Sequence, residues 1–403
     1  MSRVGADGPL QPAESAQMGR DETRTALQAT ATEFVRREVA PHLQEWEDAG
    51  TIPRELHLAA ARQGLLGVGF AEAVGGEGGD LLDTIAMQEA MFAAGASSGL
   101  MAGLFTHGIA LPHLAAHGSA DLVDRFVRPT LAGEKIGSLA VTEPGGGSDV
   151  AAIRTTARRD PGTDCYVVNG TKTFITSGVR ADFVTTAVRT GGPGHAGVSL
   201  LVVEKGMAGF GVDRDLTKMG WHCSDTAQLS FVDVRVPVAH LVGAENSGFV
   251  QIAEQFVVER IALAVHAYGI AGRSLALAAA YCRERETFGR PLIANQVVRH
   301  RLVEMHRQVE VAKAYTHEVA RRHALHLQGA GESVVAEACL AKQTACDTAA
   351  YVCDQAVQLH GGAGYLRGTE VERHYRDARI LPIGGGATEV LTDLAAKLLG
   401  YAS

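Results

Sequence analysis

Apolar residues recur at helical spacing along the first third of the chain, for example Leu27, Phe34, Val35 and Val39, then Leu56, Leu58, Ala59 and Ala61. This periodicity predicts a helical domain over residues 21–135, punctuated by turns at 50–53 and 74–80. The pattern changes near Ile136. Short β-rich runs at 166–168, 183–188 and 199–203, separated by Gly, Asn, Asp and Pro, predict a small β domain over 136–245. No long helical pattern lies between these runs, which disfavours a doubly wound parallel sheet. Beyond 246 the helical period returns, with helices expected at 249–285, 295–327, 332–360 and 388–399. Helices this long and amphipathic imply a C-terminal bundle, 246–403, with spare faces for oligomer contacts. The expected fold is therefore mostly α with a central small β domain. Residues 1–20, mixing Gly, Pro, Gln and Ser without an apolar core, read as a flexible tail.

Composition adds exclusions. Acidic residues outnumber basic ones 45 to 37, and no stretch is strongly basic, so nucleic acid is not an expected partner. The longest nearly uncharged apolar run, 261–272, is too short to cross a bilayer. The expectation is a soluble, cytoplasmic protein without a membrane partner. Cys339, Cys346 and Cys353 recur every seven residues, which on a helix makes one stripe of sulfurs too far apart to share a metal. They read as small apolar residues on a buried face, and no metal site is expected.

The chemistry begins at Val141-Thr142-Glu143-Pro144-Gly145-Gly146-Gly147-Ser148-Asp149-Val150. Three consecutive glycines can take positive φ and bring bare N–H groups to a bulky anionic ligand, while Thr142 and Ser148 add hydroxyl donors. This is a cradle for a phosphate-bearing cofactor. The literal G-x-G-x-x-G at 192–197 lies between two strand-like runs and contains Pro193, so it reads as a hairpin loop and not as a nucleotide site.

A glycine cradle opening a β domain between two helical domains strongly resembles the acyl-CoA dehydrogenase family. Four further segments agree in order and spacing: Asn169-Gly170-Thr171-Lys172-Thr173-Phe174-Ile175-Thr176-Ser177-Gly178; Arg285-Glu286-Thr287-Phe288-Gly289-Arg290-Pro291 with Gln296; residues 358–365; and Arg373-His374-Tyr375-Arg376-Asp377-Ala378-Arg379. The resemblance implies an FAD at the junction of the β domain and the C-terminal bundle. By similarity, Leu139, Val141, Thr142, Gly147 and Ser148 line the flavin and its phosphates. Phe174, Ile175 and Thr176 pack at the isoalloxazine, with Phe174 replacing the family's Trp. Arg285, Phe288, Gln296 and the turn carrying Gln358, Leu359, Gly361 and Gly362 hold the pyrophosphate and adenosine, partly from a neighbouring subunit. The family's G-T-x-Q/E is here Gly386-Ala387-Thr388-Glu389, which loses a threonine; Glu389 is expected at the cofactor or as charge at a helix N-terminus.

The implied reaction removes a proton from Cα and a hydride from Cβ of an acyl thioester, giving a trans-2-enoyl-CoA. The hydride goes to flavin N5, and the electrons pass to an electron-transfer flavoprotein. In many family members the base is a glutamate eight residues after the Asp of R-D-A; counted from Asp377, that position is Gly385. A minority, of the isovaleryl-CoA and long-chain types, carries the base before an arginine early in the helix after the β domain, here Glu259-Arg260. Ser224-Asp225-Thr226-Ala227 also matches the long-chain type. Glu259 sits in an apolar stretch that would raise its pKa, and it is assigned as the base; an ion pair to Arg260 or a surface glutamate is the bland alternative. Ser148, Arg260 and the Gly385 N–H are the implied substrate contacts, Gly385 polarising the thioester carbonyl. A homotetramer is implied. Two other classes compete: a same-fold flavin enzyme that uses oxygen, such as a hydroxylase or nitroalkane oxidase, and a non-catalytic binding relative.

Overall fold

The computed structural model describes residues 12–402. The N-terminal region contains α1 (Pro12–Phe34), α2 (Leu43–Ala49), α3 (Arg54–Arg62), α4 (Leu81–Ala93), α5 (Ser98–Leu104), α6 (His107–Ala110), α7 (Pro112–His117), α8 (Ala120–Leu122) and α9 (Arg128–Leu131). Residues 12–20, expected in the tail, are the opening turns of α1. Proline is favoured at a first helical position, and Ala13, Glu14, Ala16, Gln17 and Met18 are good helix formers. Residues 1–11 of that expected tail lie outside the described residues. Asp80 and Asp83 form a reciprocal capping box that fixes where α4 begins. Ser97 caps α5 through Leu100 N at 3.0 Å.

The strands follow as β1 (Gly137–Ala140), β2 (Thr156–Asp160), β3 (Cys165–Thr176), β4 (Phe183–Arg189), β5 (Val198–Glu204), β6 (Phe210–Asp215) and β7 (Thr226–Pro237). They form one sheet in the order β1-β4-β2-β3-β7-β6, with β5 paired to β4. β4 and β5 are an antiparallel hairpin in register Phe183 with Glu204 to Arg189 with Val198, so the G-x-G-x-x-G run is its connecting loop. β1 runs parallel to β4 and delivers the chain straight into the glycine loop.

The C-terminal region comprises α10 (Gly248–Glu284), a small hairpin of β8 (Glu286–Thr287) and β9 (Arg290–Pro291), α11 (Gln296–Leu327), α12 (Val335–His360), α13 (Glu370–Ala378) and α14 (Thr388–Leu398). The 37 residues of α10 make a rod of about 55 Å at 1.5 Å per residue. Its start lies on the sheet: a Cβ on Gly248 would sit 2.7 Å from the Ser199 carbonyl carbon, so glycine permits this approach. Farther along, α10 packs against α4, α11, α12 and α13. By length and composition α10 could cross a membrane, which the 261–272 run taken alone did not suggest; 56% of its most apolar window is buried within this fold. The largest core couples α1 to α5 with α10, α11 and α12, and a second core lies inside the sheet. Cys339, Cys346 and Cys353 are all buried on α12, and among the described residues no cluster could hold a metal.

Candidate active site

The glycine loop is held from below by a buried ion pair. Lys172 on β3, fully enclosed, donates to the Val141 carbonyl at 2.8 Å and to Glu143 at 2.9 Å. The Glu143 carboxylate also accepts Arg154 N at 2.7 Å and Thr155 N at 2.9 Å. Burial lowers Lys172 to about 8 even beside its carboxylate. Burial works to raise Glu143, but the Lys172 charge and the donated hydrogen bonds leave it below the ordinary carboxylate value. Glu143 and Gly146 exchange backbone hydrogen bonds and close a tight turn.

The glycines depart from the expectation in their dihedrals and not in their bareness. None of Gly145, Gly146 and Gly147 has positive φ. At Gly145 and Gly146 an added Cβ would meet nothing within 4 Å, and at Gly147 it would lie 3.1 Å from Thr142 Cγ2. The run therefore supplies a bare backbone facing open space, and not unusual dihedrals. The Thr142 and Ser148 hydroxyls are engaged by no other group among the described residues, so both remain available to a ligand. Leu139 is half-buried on β1 beneath them.

At the end of β3 a bulge between Lys172 and Ile175 turns Phe174 outward. Phe174 has φ +60° and is 68% exposed. A large aromatic held in the left-handed region and open to solvent is the platform a flat ring would cover. Ile175 departs from expectation: its side chain is 2% exposed in the sheet core, because the bulge shifts the phase of the strand's alternation and puts Phe174 outside and Ile175 inside, so it can offer a flavin only backbone. Thr176 stays half-buried, and its carbonyl accepts the Ser138 hydroxyl at 2.5 Å. Asp225 of the S-D-T-A run braces the next turn by accepting Arg180 Nε at 2.6 Å and Val179 N at 2.8 Å.

The expected base and the expected oxyanion donor meet where α10 approaches the loop before α14. Gly385 has φ +64°, and a Cβ built there would sit 2.3 Å from Leu263 Cδ1 and 3.3 Å from Glu259 Oε1. Glu259 and Leu263 are one helical turn apart on α10, so both reach the same loop. Burial raises the Glu259 carboxyl above its ordinary value, opposed by the charges of Lys342 and Arg260. Part of its surface remains accessible, as access to a ligand requires.

Glu259 forms no ion pair with Arg260. Instead Arg260, 7% exposed, places its guanidinium 5.6 Å from the Phe256 ring centre, and its Nε has no partner among the described residues. Consecutive helix residues point about 100° apart, which separates the two side chains.

The R-D-A segment forms α13. Its fully buried Asp377 accepts Trp221 N at 2.7 Å, docking the loop before β7 onto the bundle; burial and the neighbouring Glu47 carboxyl push Asp377 up to about 7.

The remaining expected cofactor residues gather elsewhere. Arg285 follows the last turn of α10, and Phe288, with φ +52°, stands fully exposed at the tip of the β8–β9 hairpin. Gln296 is exposed at the first position of α11. Gln358 is exposed, Leu359 is buried, and Gly361 and Gly362 have nothing within 4 Å of an added Cβ. Tyr281 and His360 stack at 4.4 Å and tie these two groups into one cluster. Along α10 this cluster lies about 39 Å from Glu259. Glu389 is exposed in the first turn of α14, where its charge complements the helix N-terminus.

Reasoning from sequence assigned no role to Lys342, Leu263 or the Lys172–Glu143 pair. For Lys342 a signal was present: it is the single charge in the run Ala338-Cys339-Leu340-Ala341-Lys342 on a buried helix face.

A helical region, a curled sheet and a helical bundle carry a bare glycine loop, an exposed aromatic and a half-buried carboxylate, features that suit a flavin-dependent dehydrogenase. The chain matches the models of the acyl-CoA dehydrogenase N-terminal domain over residues 21–134, middle domain over 138–234 and C-terminal domain over 246–400. It is 37% identical over 369 residues to the mitochondrial long-chain specific acyl-CoA dehydrogenase of Rattus norvegicus, covering 90% of this chain and 83% of that one. A structure described as a probable acyl CoA dehydrogenase from Mycobacterium abscessus superposes with a TM-score of 0.91 at 62% identity, covering 94% of this chain and 99% of that one. A chain in the structure of the electron transferring flavoprotein of Acidaminococcus fermentans gives 0.87 at 32% identity, covering 93% and 97%. The chain belongs to the acyl-CoA dehydrogenase family. It is an oxidoreductase acting on acyl-CoA, and its cofactor is FAD.

Proposed function

We propose that this chain catalyses α,β-dehydrogenation of an acyl-CoA to a trans-2-enoyl-CoA, with Glu259 as the base. The observation that carries this reading is the position of the Glu259 carboxylate against Gly385. When bound, FAD supplies the two-electron acceptor for the hydride leaving Cβ. Thr142, Ser148 and the bare glycine backbone would hold it, with Phe174 as its floor.

Each protein group has a defined task. Glu259, its basicity raised by burial, takes the proton from Cα. The Gly385 N–H, which donates to no group among the described residues, meets the charge that develops on the thioester oxygen. Leu263 lines the same crevice and excludes water from the carboxylate.

Arg285, Phe288, Gln296 and the 358–362 turn gather about 39 Å along α10 from Glu259, with Phe288 and Gln296 exposed at the surface. We infer that a second copy completes the cofactor site in a homo-oligomer, with a tetramer as the full assembly. Relatedness to a chain in an electron transferring flavoprotein structure supports such a flavoprotein as the electron acceptor.

The test is anaerobic flavin reduction by a panel of straight and branched acyl-CoAs, followed by reoxidation with an electron-transferring flavoprotein or with oxygen. Rapid bleaching and preferential transfer to the flavoprotein support the proposal. No bleaching by any thioester overturns it, and rapid turnover with oxygen selects the oxidase-like class instead.

A further inference from the structure

Lys342 stands outside the machinery described so far, yet it is a buried cation that reaches the Gly385 loop. Its side chain enters from α12, is 1% exposed, and donates to the Gly384 carbonyl at 2.5 Å and the Gly386 carbonyl at 2.6 Å. These two carbonyls flank Gly385. Burying an ammonium is costly, and two backbone acceptors offset only part of that cost. A loop needing only a structural tie could use a neutral donor.

The geometry points to Lys342 as the positioning residue of the oxyanion donor. In a trans peptide the C=O of one residue and the N–H of the next lie in one plane and point in opposite directions. Fixing the Gly384 oxygen on Lys342 therefore fixes the Gly385 N–H on the far side of the same plane. That N–H carries no other hydrogen bond among the described residues, and an ideal Cβ on Gly385 would lie 3.3 Å from Glu259 Oε1, so this residue borders the carboxylate. The ammonium also polarises the amide it holds, which strengthens its N–H as a donor. Lys342 thus acts through Gly385 and needs no contact with substrate. This inference rests on the dehydrogenase reading above, in which the Gly385 N–H meets the thioester oxygen.

A second consequence concerns the base. The charged and titratable groups facing Lys342 are Glu259 and Arg260 from α10 and Cys339 and Cys346 from its own helix. Glu259 is the one carboxylate in that set, and the ammonium favours its ionised form. Removing the ammonium must shift the base toward higher pH.

The experiment uses the FAD-loaded protein and its Lys342→Met and Lys342→Arg variants. Flavin content and melting temperature are recorded first, then kcat and KM across pH. The ionisation of a bound 3-oxoacyl-CoA is followed through the ultraviolet absorbance of its enolate. The expected result for Lys342→Met is a kcat lower by about 100-fold with KM within about threefold, the signature of a lost transition-state interaction. Its acid limb moves to higher pH, and the bound 3-oxoacyl-CoA stays neutral where the parent holds it as the enolate. Lys342→Arg restores part of both.

A Met variant that keeps FAD, ionises the ligand as the parent does and keeps kcat within about twofold would overturn the assignment. If the Met variant does not fold, Lys342→Gln, which retains amide donors without the charge, is held to the same outcomes. A parent protein reduced by no acyl-CoA overturns the dehydrogenase reading itself, and this inference with it. A parent that is reduced, with variants reduced equally fast, overturns the inference alone.

Discussion

The Glu259 Oε1 lies 3.3 Å from the point where a Cβ on Gly385 would begin. Two positions 126 residues apart in sequence thus address one volume, and the chain fills it from α10 and leaves the loop side bare. On the proposed reading, glycine at 385 costs no chemistry, because the carboxylate is supplied by α10. Leu263 closes the space that a side chain on residue 385 would need.

Restoring a side chain to the loop should accordingly harm the protein. Gly385→Glu would force a non-glycine residue into positive φ, at about 1–2 kcal/mol, and press it on Leu263 and on a second carboxylate. The expected outcome is a lower melting temperature and reduced turnover. Adding Leu263→Ala and Glu259→Gln removes the overlap and the like charge, and the triple variant should recover activity over Gly385→Glu alone. Calorimetry with steady-state kinetics checks both; an unimpaired single variant would show that the two positions do not share a site.

The raised Glu259 pKa has a thermodynamic counterpart. A carboxyl whose folded pKa exceeds its unfolded value of about 4.5 binds more protons when folded, so stability falls as pH rises through the folded pKa. Glu259→Gln should melt higher than the parent at pH 8, and the charge-linked part of that difference should vanish below about pH 4.5. Thermal melts across pH measure it. A pH-independent difference would place the carboxyl at its ordinary value.

Lys172→Met should separate cofactor retention from catalysis. It leaves Glu143 enclosed without its cation, at about 3–5 kcal/mol, and frees the Val141 carbonyl under the glycine loop. The expected result is a lower melting temperature and weaker FAD binding, read by flavin fluorescence on dilution. Unchanged FAD affinity would mean that the pair does not shape the cradle.

Phe174 offers the converse case. It is 68% exposed, so Phe174→Ala should leave the stability of the FAD-free protein nearly unchanged while loosening FAD, and Phe174→Trp should hold FAD at least as well as the parent. Equal FAD affinity in the Ala variant would remove Phe174 from the flavin site.

The long elements were legible because their periodicity is strong. The expected helix at 295–327 is found as Gln296–Leu327, and that at 388–399 as Thr388–Leu398. Helix α13 was recognised only as a motif, and its buried face carries Arg373, His374 and Asp377 beside Val371 and Ala378. Glu259 was assigned because the resemblance implies a carboxylate at 385 and the chain has Gly385 there. Burial of Ile175 was missed because a bulge in β3, invisible to alternation, decides which residues face the core. Lys342 shows in the sequence as the single charge of its apolar run, but its role was missed because its partners are backbone carbonyls, which leave no mark there.

The most direct test is the rate of anaerobic flavin reduction by acyl-CoA in Glu259→Gln. With FAD content and melting behaviour preserved, that rate should fall by about 10²–10⁴-fold, the contribution of a positioned general base, while acyl-CoA affinity is retained. Reduction within about twofold of the parent, with FAD bound, would contradict Glu259 as the base.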